Sequence, residues 1–204
     1  MTSDLPRCAR PFTWAGRLLL RLARWRVQAP EYPGSQFILI AAPHTSNWDA
    51  YFMIACGWAL GLRVNWIAKD ALFRFPFGGL MRRLGGIPVD RSRHLNQVHA
   101  AAELFRERPA LVLAVAPEGT RRRVEHWRSG FYYMALEAKV PIGFGFLDYP
   151  RRVGGIRGFF SPTGDIHADM DHFREAYRDV RGKYPANETP IRLRDETPGA
   201  PPQP

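Results

Sequence analysis

The sequence predicts an α/β domain: a largely parallel central sheet flanked by helices, preceded by an amphipathic helix. Three observations carry this. Short continuous apolar runs recur along the chain, and stretches of helical periodicity lie between them. Strand alternating with helix marks a parallel sheet with crossover helices. The chain has 204 residues, about one domain, with no internal repeat and no linker. Its 46% apolar and 24% charged residues are ordinary globular values, so collagen-like and disordered classes are excluded.

Residues 1–30 form the first expected unit. Phe12 to Val27 reads FTWAGRLLLRLARWRV, and at helical spacing Arg17, Arg21 and Arg24 share a stripe beside Trp14, Leu18, Leu22 and Trp25. A basic stripe flanked by Trp and Leu suits a helix lying in a membrane interface. The alternative is a surface helix docked on the domain's own core. Six arginines against one acid in these 30 residues favour an anionic lipid surface as the partner.

Residues 31–194 form the main domain. Phe37 to Ala42, Val64 to Ala68, Ile87 to Val89, Ala110 to Ala116 and Pro141 to Leu147 read as buried strands. Helices are expected over Trp48 to Leu60, Leu95 to Arg106, Ser129 to Lys139 and Ala168 to Arg181. The cluster Asp165, His167, Asp169, Asp171 and His172 reads as the acidic start of the last of these, complementing its dipole. Residues 195–204, DETPGAPPQP, read as a disordered tail.

Several chemistries are set aside. Cys8 and Cys56 are too few for a disulfide framework or a cysteine zinc site, and a reducing compartment is the default. No metal is expected, since His44 with Asp49 and His94 with His99 are five apart, whereas helical ligand pairs need three or four. The longest nearly apolar window, Ala50 to Leu62, reaches only about 20 Å as a helix, short of the ~30 Å needed to cross hydrocarbon. No transmembrane helix is expected. The net charge of +10 points to anionic partners of some kind, nucleic acid, phosphorylated molecules or lipid. No groove-reading motif accompanies it, so nucleic acid is not expected as a partner. A basic nucleic-acid-binding module remains the non-enzymatic rival.

In an open α/β sheet, ligands bind beyond the carboxyl ends of the strands. Three polar clusters fall there: Pro43 to Asp49, Gly86 to Arg91, and Pro117 to Arg121. His44 leaves a strand, Ser46 or Asn47 can cap the next helix, and Asp49 lies in its first turn. A carboxylate on one imidazole nitrogen fixes the tautomer and frees the other as a base. Gly119 permits close backbone approach of a ligand, and Arg91 and Arg121 can each grip phosphate with a planar fork. Glu118 can order an arginine or accept from a substrate hydroxyl. No serine sits in a G-x-S-x-G elbow. Lys69, ending the second apolar run, is a candidate oxyanion donor, with backbone amides at the helix start as a competing source.

Taken together, these motifs resemble the lysophospholipid acyltransferase superfamily, typified by 1-acylglycerol-3-phosphate acyltransferase. Its H-x-x-x-x-D motif is matched by His44 and Asp49, with Asn47 completing the common N-x-D ending. Its glycine and apolar stretch ending in Arg is matched by Gly86 to Arg91, with Pro88 and Asp90 departing from many relatives. F-P-E-G-T-R is matched from Pro117 to Arg121, with Ala116 replacing the aromatic, and V-P-I at Val140 to Ile142. The resemblance covers Phe37 to Leu147. It implies that His44, oriented by Asp49, deprotonates an acceptor hydroxyl that attacks the thioester of acyl-CoA or acyl-carrier protein, without an acyl-enzyme and without a cofactor. Arg91, Glu118, Gly119, Thr120 and Arg121 would position the polar head of a lyso-lipid such as lysophosphatidate. An enzyme of this kind is expected on the cytoplasmic, inner face of the membrane as a peripheral protein. Leu72 to Leu84 is a second segment with interfacial composition. The rival enzyme reading is a hydrolase using the same His-Asp pair with water.

Overall fold

Residues 36–41 are buried on both sides, which is why apolar side chains follow one another without alternation. Ile38 and Ile40 enter one core layer, Phe37 and Leu39 the other. This strand lies mid-sheet in a computed structural model that describes residues 5–69, 73, 74, 76, 78–89 and 94–194. The remaining positions, including Asp90, Arg91 and the predicted tail 195–204, lie outside the described residues.

The strands are β1 (Arg26–Gln28), β2 (Gln36–Ala41), β3 (Val64–Lys69), β4 (Gly86–Val89), β5 (Leu111–Val115), β6 (Ile142–Asp148) and β7 (Val153–Phe160). They form one sheet in the order β1-β7-β6-β2-β5-β3-β4. From β6 to β4 all neighbours are parallel, so five carboxyl ends share one edge. β7 returns antiparallel to β6, and β1 lies parallel to β7.

The helices are α1 (Arg10–Leu22), α2 (Trp48–Ala59), α3 (Gly78–Arg83), α4 (His94–Glu107), α5 (Gly130–Ala138) and α6 (Ile166–Tyr177). α4, α5 and α6 cover the sheet face of Ile38, Ile40, Leu113 and Phe144. α2 covers the opposite face, with α1 packed on its outer side. The Asp165 side chain caps α6, accepting from the His167 and Ala168 amides at 3.2 Å each. Asp169 turns inward, accepting from the Tyr132 hydroxyl at 2.6 Å and so tying α6 to α5.

Two features differ from the sequence expectation. The first helix stops at Leu22, five residues short of Val27. Arg24 adopts left-handed φ of 59°, and the Trp25 and Arg24 amides bond back to Leu20 and Arg21, a two-bond helix ending usually built on glycine. The chain then joins the sheet as β1. β7 went unread because Gly154, Gly155 and Gly158 read as turn material rather than strand. Gly155 is required there: at φ +128°, a Cβ would come within 2.0 Å of the Gln28 carbonyl oxygen of β1.

α1 approaches α2 unusually closely. A Cβ on Gly16 would lie 2.7 Å from the Ala55 carbonyl oxygen, the Ala59 nitrogen and the Trp58 Cβ. Gly16→Leu should therefore push the helices apart and destabilise the fold by about 1–3 kcal/mol, the usual cost of overpacking. Urea denaturation of the two proteins measures this.

Candidate active site

β2 delivers the chain to the carboxyl edge, where residues 42–47 loop over to start α2. The Ser46 hydroxyl accepts from the Trp48 amide at 3.1 Å, supplying the cap that the Asn47 side chain does not. Asp49, in the first turn, is only 1% exposed and folds back over the loop. Its Oδ2 accepts from the Thr45 and Ser46 amides, each at 2.8 Å. Its Oδ1 accepts from the Tyr149 hydroxyl at 2.6 Å. The same Oδ2 lies 3.2 Å from Nδ1 of His44, whose side chain is 18% exposed.

That last contact has the distance of a hydrogen bond but not its direction, and the buried Nδ1 has no other partner among the described residues. Two backbone bonds fix the position of Oδ2 beside the ring. Burial pushes the Asp49 carboxyl up, but the donors from His44, Tyr149, Ser46 and Thr45 outweigh it and hold the group below its ordinary value.

β5 ends beside β2 and leads into the turn Pro117-Glu118-Gly119-Thr120. Glu118 is 3% exposed and points inward rather than toward solvent. Both its oxygens accept from the His44 amide, at 2.9 and 3.1 Å. Burial pushes its carboxyl up to about 8, the His44 amide opposing and the charges of Asp49 and Glu188 adding. Gly119 has φ +65°, and the Arg128 guanidinium lies across it, 3.0 Å from where a Cβ would stand. Arg121 is exposed, and the Thr120 hydroxyl accepts from the Arg122 amide at 3.3 Å.

A cavity of about 500 Å³ starts at this edge. His44, Thr120, Arg121 and Arg128 line its polar end. It continues between α2 and the sheet, walled by Met53, Cys56 and Gly57 on one side and Leu39, Leu147 and Ile156 on the other. The lining residues of α2 run from Ala50 to Gly57 and on to Leu60 just beyond, about 15 Å of helix at 1.5 Å per residue. Gly145 on β6 and Gly57 on α2 also line it. Burial raises the Cys56 thiol to about 12, so it is an inert wall rather than a nucleophile.

The structure thus places His44 in contact with both Asp49 and Glu118 and sets Gly119, Thr120 and Arg121 on the wall of the same cavity. Lys69 ends β3 on that edge, and only its backbone is described. Arg91 lies outside the described residues, although β4, which precedes it, ends on the same edge. The amides of His44, Thr45, Ser46 and Trp48 are all committed internally, which weakens them as oxyanion donors. Sequence reasoning missed Arg128 and Tyr149. Arg128 is one of 26 arginines and belongs to no motif, and Tyr149 meets Asp49 across 100 residues of sequence. Among the described residues, no group of three or more His, Cys, Asp or Glu is placed to hold a metal ion.

No curated protein matches the chain. Among solved structures it is similar to the crystal structure of the 1-acyl-sn-glycerophosphate (LPA) acyltransferase PlsC from Thermotoga maritima, with a TM-score of 0.58 and 17% identity over 81% of this chain and 74% of that one. At that identity the likeness establishes the shared fold. A model of the Acyltransferase family matches residues 24–143, more than half of the chain. Those residues include the His44–Asp49 loop, the Glu118 turn and most of the cavity wall. The protein is therefore an acyltransferase, and the chain belongs to the Acyltransferase family, as its likeness to the lysophospholipid acyltransferase superfamily anticipated.

Proposed function

We propose that the protein transfers a fatty acyl group from acyl-CoA or acyl-carrier protein to a hydroxyl of a lyso-lipid such as lysophosphatidate. The observation that carries this is an apolar passage long enough for an acyl chain, opening beside a His-Asp pair with arginines at its mouth. His44 Nε2 takes the proton of the acceptor hydroxyl, and the oxygen attacks the thioester carbonyl carbon. The tetrahedral adduct collapses with loss of the C–S bond, and the imidazolium returns the proton to the leaving thiolate. Asp49 stabilises the imidazolium as it forms. Arg121 and Arg128 stand where a phosphate head would lie, with Arg91 expected to join them. Lys69 is the candidate donor to the oxyanion. No acyl-enzyme and no cofactor is needed in this scheme.

Glu118 fits a supporting role better than a grip on substrate, since both its oxygens face the His44 amide. Held protonated near neutrality, it ties the β5 turn to the β2 loop without adding a second charge beside Asp49.

The reaction runs at the inner, cytoplasmic face of a membrane, into which acyl chains and lyso-lipids partition. Supporting this, α1 exposes Trp14 (68%), Leu18 and Leu22 (72%) next to Arg10, Arg17 and Arg21. Among the described residues, no helix is long and apolar enough to cross a membrane.

His44→Ala should reduce transfer by about 10²–10⁴-fold. Thioester consumption in the wild type should depend on added lysophosphatidate; equal consumption without acceptor would mean hydrolysis instead. For Glu118, a folded pKa of about 8 against an ordinary 4.5 means stability is full below 4.5 and declines as pH rises through 8. Glu118→Gln keeps an acceptor for the His44 amide and should flatten that decline in thermal melts from pH 5 to 9. Arg17→Gln with Arg21→Gln should weaken sedimentation with phosphatidylglycerol vesicles roughly thirtyfold, at about 1 kcal/mol per arginine, and added salt should erase the difference.

A further inference from the structure

His44 can serve as a base only while Asp49 keeps one oxygen turned toward Nδ1. The Thr45 and Ser46 amides hold Oδ2 at the heart of the loop, but the last torsion of an aspartate side chain is soft and broad. A second anchor on the other oxygen removes that freedom. The Tyr149 hydroxyl supplies it, donating to Oδ1 at 2.6 Å.

Tyr149 is itself clamped. It follows β6 at the turn into β7, and its amide donates to the Arg181 carbonyl at 3.0 Å, in the segment after α6. Its ring meets the Trp25 ring edge-on at 5.0 Å and the Phe52 ring at 5.9 Å. Trp25 and Phe52 stack on each other at 4.3 Å. The Lys183 ammonium lies 5.9 Å from the phenol ring and 5.0 Å over Trp48. The phenol is therefore held from the end of α1, from α2 and from the chain beyond α6. Burial and the neighbouring Asp49 carboxylate keep its proton on, so the hydroxyl is a standing donor.

We propose that Tyr149 is a positioning residue for the catalytic pair: its hydroxyl pins Oδ1 of Asp49 so that Oδ2 faces Nδ1 of His44 and Nε2 is presented to the cavity. The inference rests on the general-base reading of His44, but its test does not need turnover. None of the four sequence motifs contains Tyr149.

A tyrosine that only fills space would be replaced by phenylalanine without consequence for the imidazole. The test is the ¹⁵N spectrum of ring-labelled histidine recorded at about pH 8, above the ordinary imidazole range, with His44 assigned through His44→Gln. The wild type should hold His44 in a single tautomer with the proton on Nδ1. Tyr149→Phe, which keeps the ring against Trp25 and Phe52, should populate both tautomers. Its kcat should fall about tenfold with KM for the acyl donor unchanged. Identical His44 shifts in the two proteins overturn the proposal whatever happens to the rate. So does a wild type that already populates both tautomers, a result that needs no variant to fold. A wild type with a single tautomer but no acyl transfer instead defeats the proposed function and leaves the Tyr149 assignment to the spectra.

Discussion

The site depends on where one short loop sends its backbone N–H groups. Between β2 and α2, the chain must turn at the edge of a buried sheet, and every amide there needs an acceptor. His44 sends its amide to Glu118, Thr45 and Ser46 send theirs to Asp49, and Trp48 sends its amide to Ser46. Two carboxyl groups thus do the work that a second strand or helix would do elsewhere. Their placement costs desolvation, which the two meet differently. Asp49 gathers enough donors to remain charged, whereas Glu118 has one and is driven toward its neutral form. Two neighbouring acids that differ in this way leave a single negative charge beside the imidazole.

The chain beyond α6 braces the same loop from outside. The Tyr184 amide donates to the Thr45 hydroxyl at 3.3 Å, and Asn187 reaches the Thr45 carbonyl at 3.4 Å. Gly182 passes so close that a Cβ there would stand 2.7 Å from the Thr45 hydroxyl oxygen. Glu188 accepts from the Gly182 amide at 2.7 Å and closes this bracket on itself. The family model ends at residue 143, so the bracket is supplied by a part of the chain that the matched region does not include.

What could be read in advance follows the range of the interactions. The strand β2 was legible because burial on both faces leaves an uninterrupted apolar run. The return of Asp49 over its loop was legible because only four residues lie between it and His44 and a helix start was evident among them. The position of Glu118 at the end of β5 was legible but its orientation was not, since it accepts from an amide 74 positions away. Tyr149 was invisible for the same reason. β7 was hidden by glycines whose purpose, room for β1 and for the cavity, exists only once the sheet is assembled. The end of α1 was misplaced because an arginine occupies the left-handed position where glycine would have announced the stop.

The close seating of Gly16 against Ala55 and Ala59 has a mechanical consequence. α2 begins with Trp48 and Asp49 and ends beneath α1, so a beam of 12 residues, about 18 Å, joins the exposed Trp and Leu side chains to the His44 loop. The outer helix is an outrigger bolted to the hull rather than a line that can pay out. Trp14 and Leu22 are thereby held at a constant height relative to the mouth of the passage.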